Sequence, residues 1–382
     1  MIFFVVLGWS LAALALCGAV YTVLAAISVR LYAPRSGAAA SQPPAVTVLK
    51  PLHGAEPHLE DNLETFFAQD YTAPFQLVFG IQDENDPAIE VVERLRARYP
   101  DVQAALVVDG RRHGSNAKIS NLINMQETAR HDMLILSDAD IAVPSDYLGR
   151  VAEALQPKEV GAVTCLYTGW AGAGLGSRFC AMGIDYQFLP NAVISLVLNL
   201  AEPCFGSTIA IKRAVLDEIG GLRAFAGFLA DDYEIGRAVR AKGYRIVIPR
   251  LAVRHACNEN SVGEWLAHEL RWARTLRGVA PAGHVCSIVT HAIPLALLGI
   301  ILSGFTLFAV ACLVTTLAAR AALKWRIDRL YGCNGGPLWL LPVRDVLSFC
   351  IFLVSLFGGS VEWQGERLRG KQDGVLSKHE GV

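Results

Sequence analysis

Hydrophobic residues follow two alternating periods along the middle of the chain. Short aliphatic runs typical of buried strands occur at Val46–Lys50, Leu77–Ile81, Leu106–Val108 and Met133–Leu136. Apolar residues at helical spacing occupy residues 58–69, 87–98 and 117–129. Strands and helices in alternation predict an α/β domain with a doubly wound, mostly parallel sheet.

The same alternation continues more loosely after Gly161. Strands are predicted over residues 160–166, 207–211 and 244–248, of which the last ends the sheet. Helices are predicted over residues 213–220 and 262–277. The glycine run Gly172–Gly176 lacks the Rossmann spacing, so we expect a mobile loop there.

The first segment of the chain has the character of a membrane span. Residues 2–29 include no Asp, Glu, Lys or Arg and are long enough to cross a bilayer. Arg30 and Arg35 follow at once, which predicts a cytoplasmic location for the next segment. The Pro-, Ala-, Gly- and Ser-rich stretch that comes next is expected to be a linker.

Two further apolar tracts, at residues 285–319 and 338–357, predict a C-terminal membrane region. The first is interrupted by His291 and Pro294, so part of it is expected to be re-entrant or interfacial. Basic residues follow both tracts, so the side of the membrane on which each end of this region lies stays open. The predicted organisation is a transmembrane helix (1–30), a linker (31–44), a cytoplasmic catalytic domain (45–280), a membrane region (281–360) and a polar tail (361–382).

Composition narrows the classes of partner. A formal charge of -1 argues against a nucleic-acid ligand, which calls for a basic excess. The nine cysteines include no Cys-x-x-Cys pair, so a reduced protein without a structural zinc is the simpler expectation.

Candidate chemistry begins where the Met133 strand ends, at Asp138-Ala139-Asp140. Strands of an open α/β sheet deliver such carboxylates to the carboxyl edge, where ligands bind. Carboxylate oxygens suit Mg²⁺ or Mn²⁺ and leave positions open for diphosphate oxygens. The alternative is an ordinary surface turn, since Asp is a common turn residue.

Two polar clusters follow the neighbouring strands. Asp83 and Asp86 precede a helix and are able to bind a ribose or base edge, although an N-cap and acidic first turn explain Asp86 equally well. Gly114, Asn116 and Lys118 open another helix, where exposed amides and a lysine predict an anion site.

Two more clusters lie in the second half of the domain. Asp231 and Asp232 begin a helix; either is a candidate general base, and helix capping is the alternative. Helical spacing brings His268 next to Arg271 and Trp272, and the arginines, including Arg274, suit a departing diphosphate. A basic, aromatic helix lying on the membrane surface is the other interpretation.

Asp86, Asp138, Asp232 and the His268-x-x-Arg271-Trp272 pattern resemble, in order and approximate spacing, the ceramide glucosyltransferase family of membrane-bound GT-A enzymes. The likeness extends over nearly the whole chain. The segments beginning at Leu49, Ser120 and His268 are similar to the bacterial hopanoid-associated branch of that family.

This resemblance implies roles for individual residues. It assigns Asp86 to nucleotide binding, Asp138 and Asp140 to metal and diphosphate, and Asp232 to the base. His268 stands where the family usually has Gln or Arg. The candidate catalytic residues are Asp231, Asp232, His268, Arg271 and Trp272. The candidate nucleotide-binding residues are Lys50, Pro51, Asp83, Asp86, Gly114, Asn116, Lys118, Asp138 and Arg274.

The resulting prediction is an inverting, metal-dependent glycosyltransferase in a bacterial inner membrane. It would transfer N-acetylglucosamine from UDP-GlcNAc to a hopanoid polyol such as bacteriohopanetetrol, or alternatively glucose from UDP-glucose to ceramide. A non-catalytic lipid- or nucleotide-binding membrane protein is a rival from another class. The acids present at every expected position argue against that rival.

Overall fold

A computed structural model describes residues 2–35 and 43–357, together with the backbone of three short strands near the C-terminus. The predicted linker and tail therefore lie partly outside the described residues. The helices of the α/β domain are α2 (Leu59–Phe67), α3 (Ala88–Arg98), α4 (Ala117–Gln126), α5 (Tyr147–Leu155), α6 (Leu175–Gly183), α7 (Leu189–Val197), α8 (Arg213–Glu218), α9 (Asp231–Ala241) and α10 (Val262–Val279). They are preceded by α1 (Ile2–Ser28) and followed by α11 (Pro281–Cys286), α12 (Ala292–Ser303), α13 (Leu307–Tyr331) and α14 (Leu340–Ser355).

The strands form one large and two small sheets. They are β1 (Val46–Pro51), β2 (Phe75–Ile81), β3 (Gln103–Val108), β4 (Met133–Leu136), β5 (Ile141–Ala142), β6 (Val160–Thr164), β7 (Leu166–Ala171), β8 (Ile209–Lys212), β9 (Arg245–Val247), β10 (Ala252–Cys257), β11 (Ser360–Trp363), β12 (Glu366–Gly370) and β13 (Leu376–Lys378). The large sheet has the order β3-β2-β1-β4-β8-β6-β9, in which β8 is antiparallel to both of its neighbours. The other pairs are parallel, which confirms the predicted fold class.

The sheet is stabilised by apolar layers on both faces. Phe66 and Phe79 lie in one buried cluster, while Leu122 and Leu136 lie in another. Strands covered on both sides are expected to be continuously hydrophobic, and β4 has that character. The carboxyl edge of β1, β2 and β4 is therefore held on a rigid support.

Three predictions for the second half of the domain are wrong. The strand predicted over residues 160–166 is two strands, because β7 leaves the large sheet to pair with β10. β10 itself follows the strand that was expected to be last. The glycine run expected to be a loop is one only as far as Gly174; Gly176 already lies in α6, where a Cβ would be 2.2 Å from the carbonyl oxygen of Ser261. Gly176 is therefore required by close backbone packing.

The membrane-like helices pack together at one side of the domain. Within the described residues, Ile2–Leu31 and Leu307–Tyr331 are long and apolar enough to cross a membrane. Pro281–Thr290 and Ala292–Ser303 would add a third span if they act as one, although they are bent by 64°. The bend falls at His291, where the sequence predicts an interruption. Arg320 on α13 and Asp345 on α14 form a buried, bidentate ion pair with distances of 2.7 and 2.8 Å.

Candidate active site

Lys118 lies at the centre of a cluster of carboxylates at the carboxyl edge of the large sheet. Its Nζ atom is 2.6 Å from Asp138 Oδ1 and 3.4 Å from Asp231 Oδ2. Burial lowers the pKa of Lys118, but the two carboxylates outweigh this effect, so the pKa lies above its usual value. The lysine is therefore a fixed positive charge between residues that are far apart in sequence.

Asn116 explains why Lys118 points into this cluster. Its side chain caps α4 by accepting a hydrogen bond from the Ile119 amide at 3.0 Å. The Nδ2 atom donates to the carbonyl of Phe228 at 2.8 Å and to Asp231 at 3.2 Å. The fully buried Asn116 thus joins the start of α4 to the start of α9.

Asp232 is a further carboxylate of the cluster around Lys118. Its Oδ2 accepts a hydrogen bond from the Gly206 amide at 2.9 Å. Burial and the neighbouring Asp231 raise the pKa of Asp232 to about 6, although Lys118 acts in the other direction. A carboxylate with that pKa is ionised at neutral pH and is a stronger base than an ordinary aspartate.

Gly206 was not predicted from the sequence. A Cβ at this position would lie 3.1 Å from Asp138 Oδ2, 3.2 Å from Lys118 Nζ and 3.4 Å from Asp232 Oδ2. Because Gly206 has no side chain, the space between Asp138, Lys118 and Asp232 stays open. Only the turn-like composition near residue 206 could have suggested it.

His255 on β10 is the second functional candidate that sequence reasoning missed. Its Nε2 is 3.1 Å from Asp140 Oδ2. Burial raises the pKa of Asp140, but His255, Lys50 and Lys118 together outweigh burial and lower that pKa to about 2. The other oxygen, Asp140 Oδ1, is buried and has no hydrogen-bond partner among the described residues. β10 was not predicted, and this explains the omission.

Lys50 contacts the backbone of the Asp138-Ala139-Asp140 loop. It is fully buried, its Nζ lies 4.1 Å from the centre of the Phe66 ring, and it donates to the backbone carbonyl of Asp138. Burial lowers its pKa to about 7. The structure thus places Lys50 against the backbone of the Asp138 loop, and Pro51 immediately follows it at the end of β1.

Asp86 lies farther along the same sheet edge and has a connecting role. One carboxylate oxygen accepts the Gly54 amide and the other the Ala88 amide, both at 2.8 Å. Asp83 is exposed and accepts the amide of Asn85 at 2.9 Å. Asp86 therefore ties the loop after β1 to the start of α3, whose N-cap residue is Pro87.

Gly114 is the first residue of the predicted anion site, which also includes Asn116 and Lys118. A Cβ there would be 2.3 Å from the carbonyl oxygen of Ala226. Gly114 is exposed, and its close approach to Ala226 brings the segment before α4 against the segment before α9.

Helix α10 brings the aromatic and basic candidates to the edge of the cluster. The Trp272 ring centre is 4.5 Å from that of His268 and 6.2 Å from that of His255. Burial lowers the pKa of Arg271, while the charges of Glu259 and Asp140 oppose this shift. Arg274 is half-buried one turn farther along α10.

An aromatic wall, formed by Tyr167, Phe188 and Phe205, continues from His255. Tyr167 stacks on Phe188 with ring centres 4.3 Å apart, and its ring centre is 5.8 Å from that of His255. Phe205 meets the same two aromatic rings edge-on at 6.0 and 5.2 Å. Half-buried aromatic faces beside a charged centre suit a ligand with a polar end and an apolar body.

A mostly parallel α/β sheet that carries an Asp-x-Asp loop at its carboxyl edge defines a GT-A-like fold. The mannosyltransferase PcManGT from Pyrobaculum calidifontis, solved in complex with GDP-Man and Mn²⁺, has a similar fold. Its TM-score is 0.52 and its sequence identity is 21%, and the match covers 93% of this chain and 99% of that one. At this identity the likeness shows the fold alone.

The chain belongs to glycosyl transferase family 21, whose profile matches residues 10–376. Ceramide glucosyltransferase 3 of Caenorhabditis elegans is 28% identical over 243 residues, and ceramide glucosyltransferase 1 of the same organism is 28% identical over 248 residues. Each match covers 62% of this chain and 52% of the relative. The chain thus spans about half the length of these curated relatives.

Proposed function

We propose that this protein is an inverting glycosyltransferase that moves a hexosyl unit from a UDP-sugar to a hydroxyl group of a membrane lipid. The observation that carries the proposal is the convergence of Asp138, Asp140 and Asp232 around Lys118, beside an aromatic wall and membrane-like helices. The four carboxylates, counting Asp231, lie among the basic groups of Lys118, His255, Lys50 and Arg271. The Asp138 and Asp140 carboxylates supply the oxygen ligands that a divalent cation prefers.

The residues fit Mg²⁺ or Mn²⁺. Asp140 has a buried oxygen that no described residue contacts by a hydrogen bond, and its other oxygen faces His255. Asp138 and Asp140 would hold the ion, since carboxylate oxygens suit Mg²⁺ and Mn²⁺, and His255 would orient Asp140 as its charged partner. When bound, the ion would supply Lewis-acid neutralisation of the UDP leaving group.

Asp232 is the proposed base. Its carboxylate accepts the proton of the acceptor hydroxyl while the oxygen forms a bond to C1 of the sugar. The bond from C1 to the diphosphate oxygen breaks on the opposite face, and UDP leaves with its electron pair. The Gly206 amide orients Asp232 at 2.9 Å, so the carboxylate is held in place before the acceptor arrives.

Basic residues on both sides of the cluster would receive the leaving group. Lys118 is next to Asp138, and Arg271 approaches the same region from α10. Asp86 supports the loops that would enclose the nucleotide, because both of its oxygens hold backbone amides. The positive charges of Lys118 and Arg271 would stabilise the negative charge that develops on the diphosphate.

The membrane-like helices and the aromatic wall support a lipid acceptor. We place the catalytic domain on the cytoplasmic side of a bacterial inner membrane, where UDP-sugars are made. The local sequence likeness favours bacteriohopanetetrol and UDP-GlcNAc, whereas the names of the curated relatives favour ceramide and UDP-glucose. Both pairs use the same chemistry at C1.

The test is a donor and acceptor matrix. Purified full-length protein is incubated with UDP-glucose or UDP-GlcNAc and with ceramide or bacteriohopanetetrol, in Mg²⁺ or Mn²⁺, and the lipids are analysed by mass spectrometry. We expect a hexosylated lipid from one pair, and none from the Asp140→Asn variant. UDP-sugar cleavage without any glycolipid would contradict the proposal, and so would the absence of turnover with every pair.

A further inference from the structure

A second group of potential metal ligands lies beside α10. Cys180 near the end of α6, Glu259 after β10 and His268 on α10 each offer one ligand atom, and these atoms all lie within 4.8 Å of one another. Cys180 is 3% exposed and Glu259 is 9% exposed. Three residues from three separate elements thus meet in a nearly closed site.

The contacts inside this group leave one carboxylate oxygen of Glu259 without a hydrogen bond to any described residue. Glu259 Oε1 contacts His268 Nδ1 directly. The other oxygen, Glu259 Oε2, is buried and has no hydrogen-bond partner among the described residues. A buried carboxylate oxygen without a partner is costly, and a bound cation would remove that cost.

The chemical types of the three ligand atoms indicate which cation would bind. Sulfur, imidazole nitrogen and a single carboxylate are a set that suits Zn²⁺, whereas Mg²⁺ prefers oxygen ligands alone. Three protein ligands leave one position of a tetrahedral zinc site, which a water molecule would fill.

We propose that Cys180, Glu259 and His268 bind a Zn²⁺ ion, with a water molecule as the fourth ligand. Binding forms a zinc–sulfur bond and releases the thiol proton of Cys180 to solvent. This proposal differs from the expectation from cysteine spacing, which is a protein without a structural zinc. Cys180 and His268 belong to different helices, so no local motif could reveal the pair.

The position of this site indicates a structural role. The His268 ring is 4.5 Å from the Trp272 ring, and Trp272 in turn faces His255, which contacts Asp140. A zinc ion would therefore fix α10 against α6 and β10. It would hold Trp272 at the edge of the carboxylate cluster without taking part in the transfer itself.

Metal analysis of the full-length protein tests the proposal. The protein is expressed with zinc in the medium, purified in detergent and analysed by inductively coupled plasma mass spectrometry. We expect about one tightly bound zinc ion per chain in the wild type, and a loss of most of it in Cys180→Ser and in His268→Ala. Asp140→Asn, which alters the other metal site, and Cys286→Ala, which alters an exposed cysteine, are expected to keep the zinc.

A cobalt measurement keeps the test decisive if a variant folds poorly. Zinc is removed from the wild type with a chelator, and Co²⁺ is added. A thiolate-to-cobalt absorption band in the wild type supports the site. Wild-type protein without zinc and without this band would overturn the proposal, as would zinc contents that are equal in the wild type, Cys180→Ser and His268→Ala.

Discussion

The clearest prediction concerns Asp232 and its dependence on pH. Burial and the charge of Asp231 raise its pKa to about 6. The base must be ionised to accept the proton, so kcat is expected to rise as the pH increases through this value. With a pKa near 6, about one Asp232 in eleven is ionised at pH 5 and about ten in eleven at pH 7, which is about a tenfold increase in rate.

Replacing Asp232 by Asn preserves the size of the side chain but removes the base. Loss of a positioned general base typically lowers the rate by about 10²- to 10⁴-fold. We therefore expect kcat to fall by that order in Asp232→Asn, and the acid limb near pH 6 to disappear. UDP binding, measured by calorimetry, is expected to remain because the other cluster residues are unchanged.

Asp231→Asn is the matched control. The charge of Asp231 raises the pKa of Asp232, so its removal is expected to lower that pKa and move the acid limb to lower pH. The assay is initial-rate transfer to the lipid acceptor between pH 5 and 8 at saturating donor. A folded Asp232→Asn protein with near-normal turnover, or with the wild-type pH limb, would refute the role of Asp232.

Three other predictions follow from individual contacts. Gly206→Ala places a Cβ 3.1 to 3.4 Å from three charged groups, so we expect about a 10- to 100-fold loss of kcat/KM with an almost unchanged melting temperature; a normal rate would show that the space is not used. His255→Ala removes the group that orients Asp140, and we expect the Mn²⁺ concentration for half-maximal activity to rise by about tenfold or more, whereas an unchanged metal titration would exclude a role for His255 in positioning Asp140. Asp345→Asn leaves Arg320 buried without its carboxylate and is expected to destabilise the folded protein by about 3–5 kcal/mol, with partial recovery in Arg320→Met/Asp345→Leu. Thermal unfolding in detergent measures that effect, and equal melting temperatures would contradict it.

The first half of the domain could be predicted because its elements are regular. β4 begins and ends where the aliphatic run does, and α4 begins directly after Asn116, as its capping chemistry requires. The fold class follows from such local signals. The charged ends of these elements also identified Asp138, Asp140 and Lys118.

The remaining features depend on contacts between distant segments. β10 includes Arg254 and His255, and these polar residues hide the strand period. α6 follows a glycine run whose purpose is close packing against Ser261, which a local pattern cannot reveal. The contact between Lys118 and Asp231 is likewise nonlocal, so sequence reasoning proposed both residues without pairing them.

The anomeric configuration of the lipid product tests the central proposal most directly. Wild-type protein is supplied with an α-linked UDP-sugar and the preferred lipid acceptor, and the purified glycolipid is analysed by NMR. Inversion at C1, with Asp232 as the base on the opposite face, predicts a β-linked product that Asp232→Asn does not form at a comparable rate. An α-linked product, or release of free sugar with no glycolipid, would contradict it.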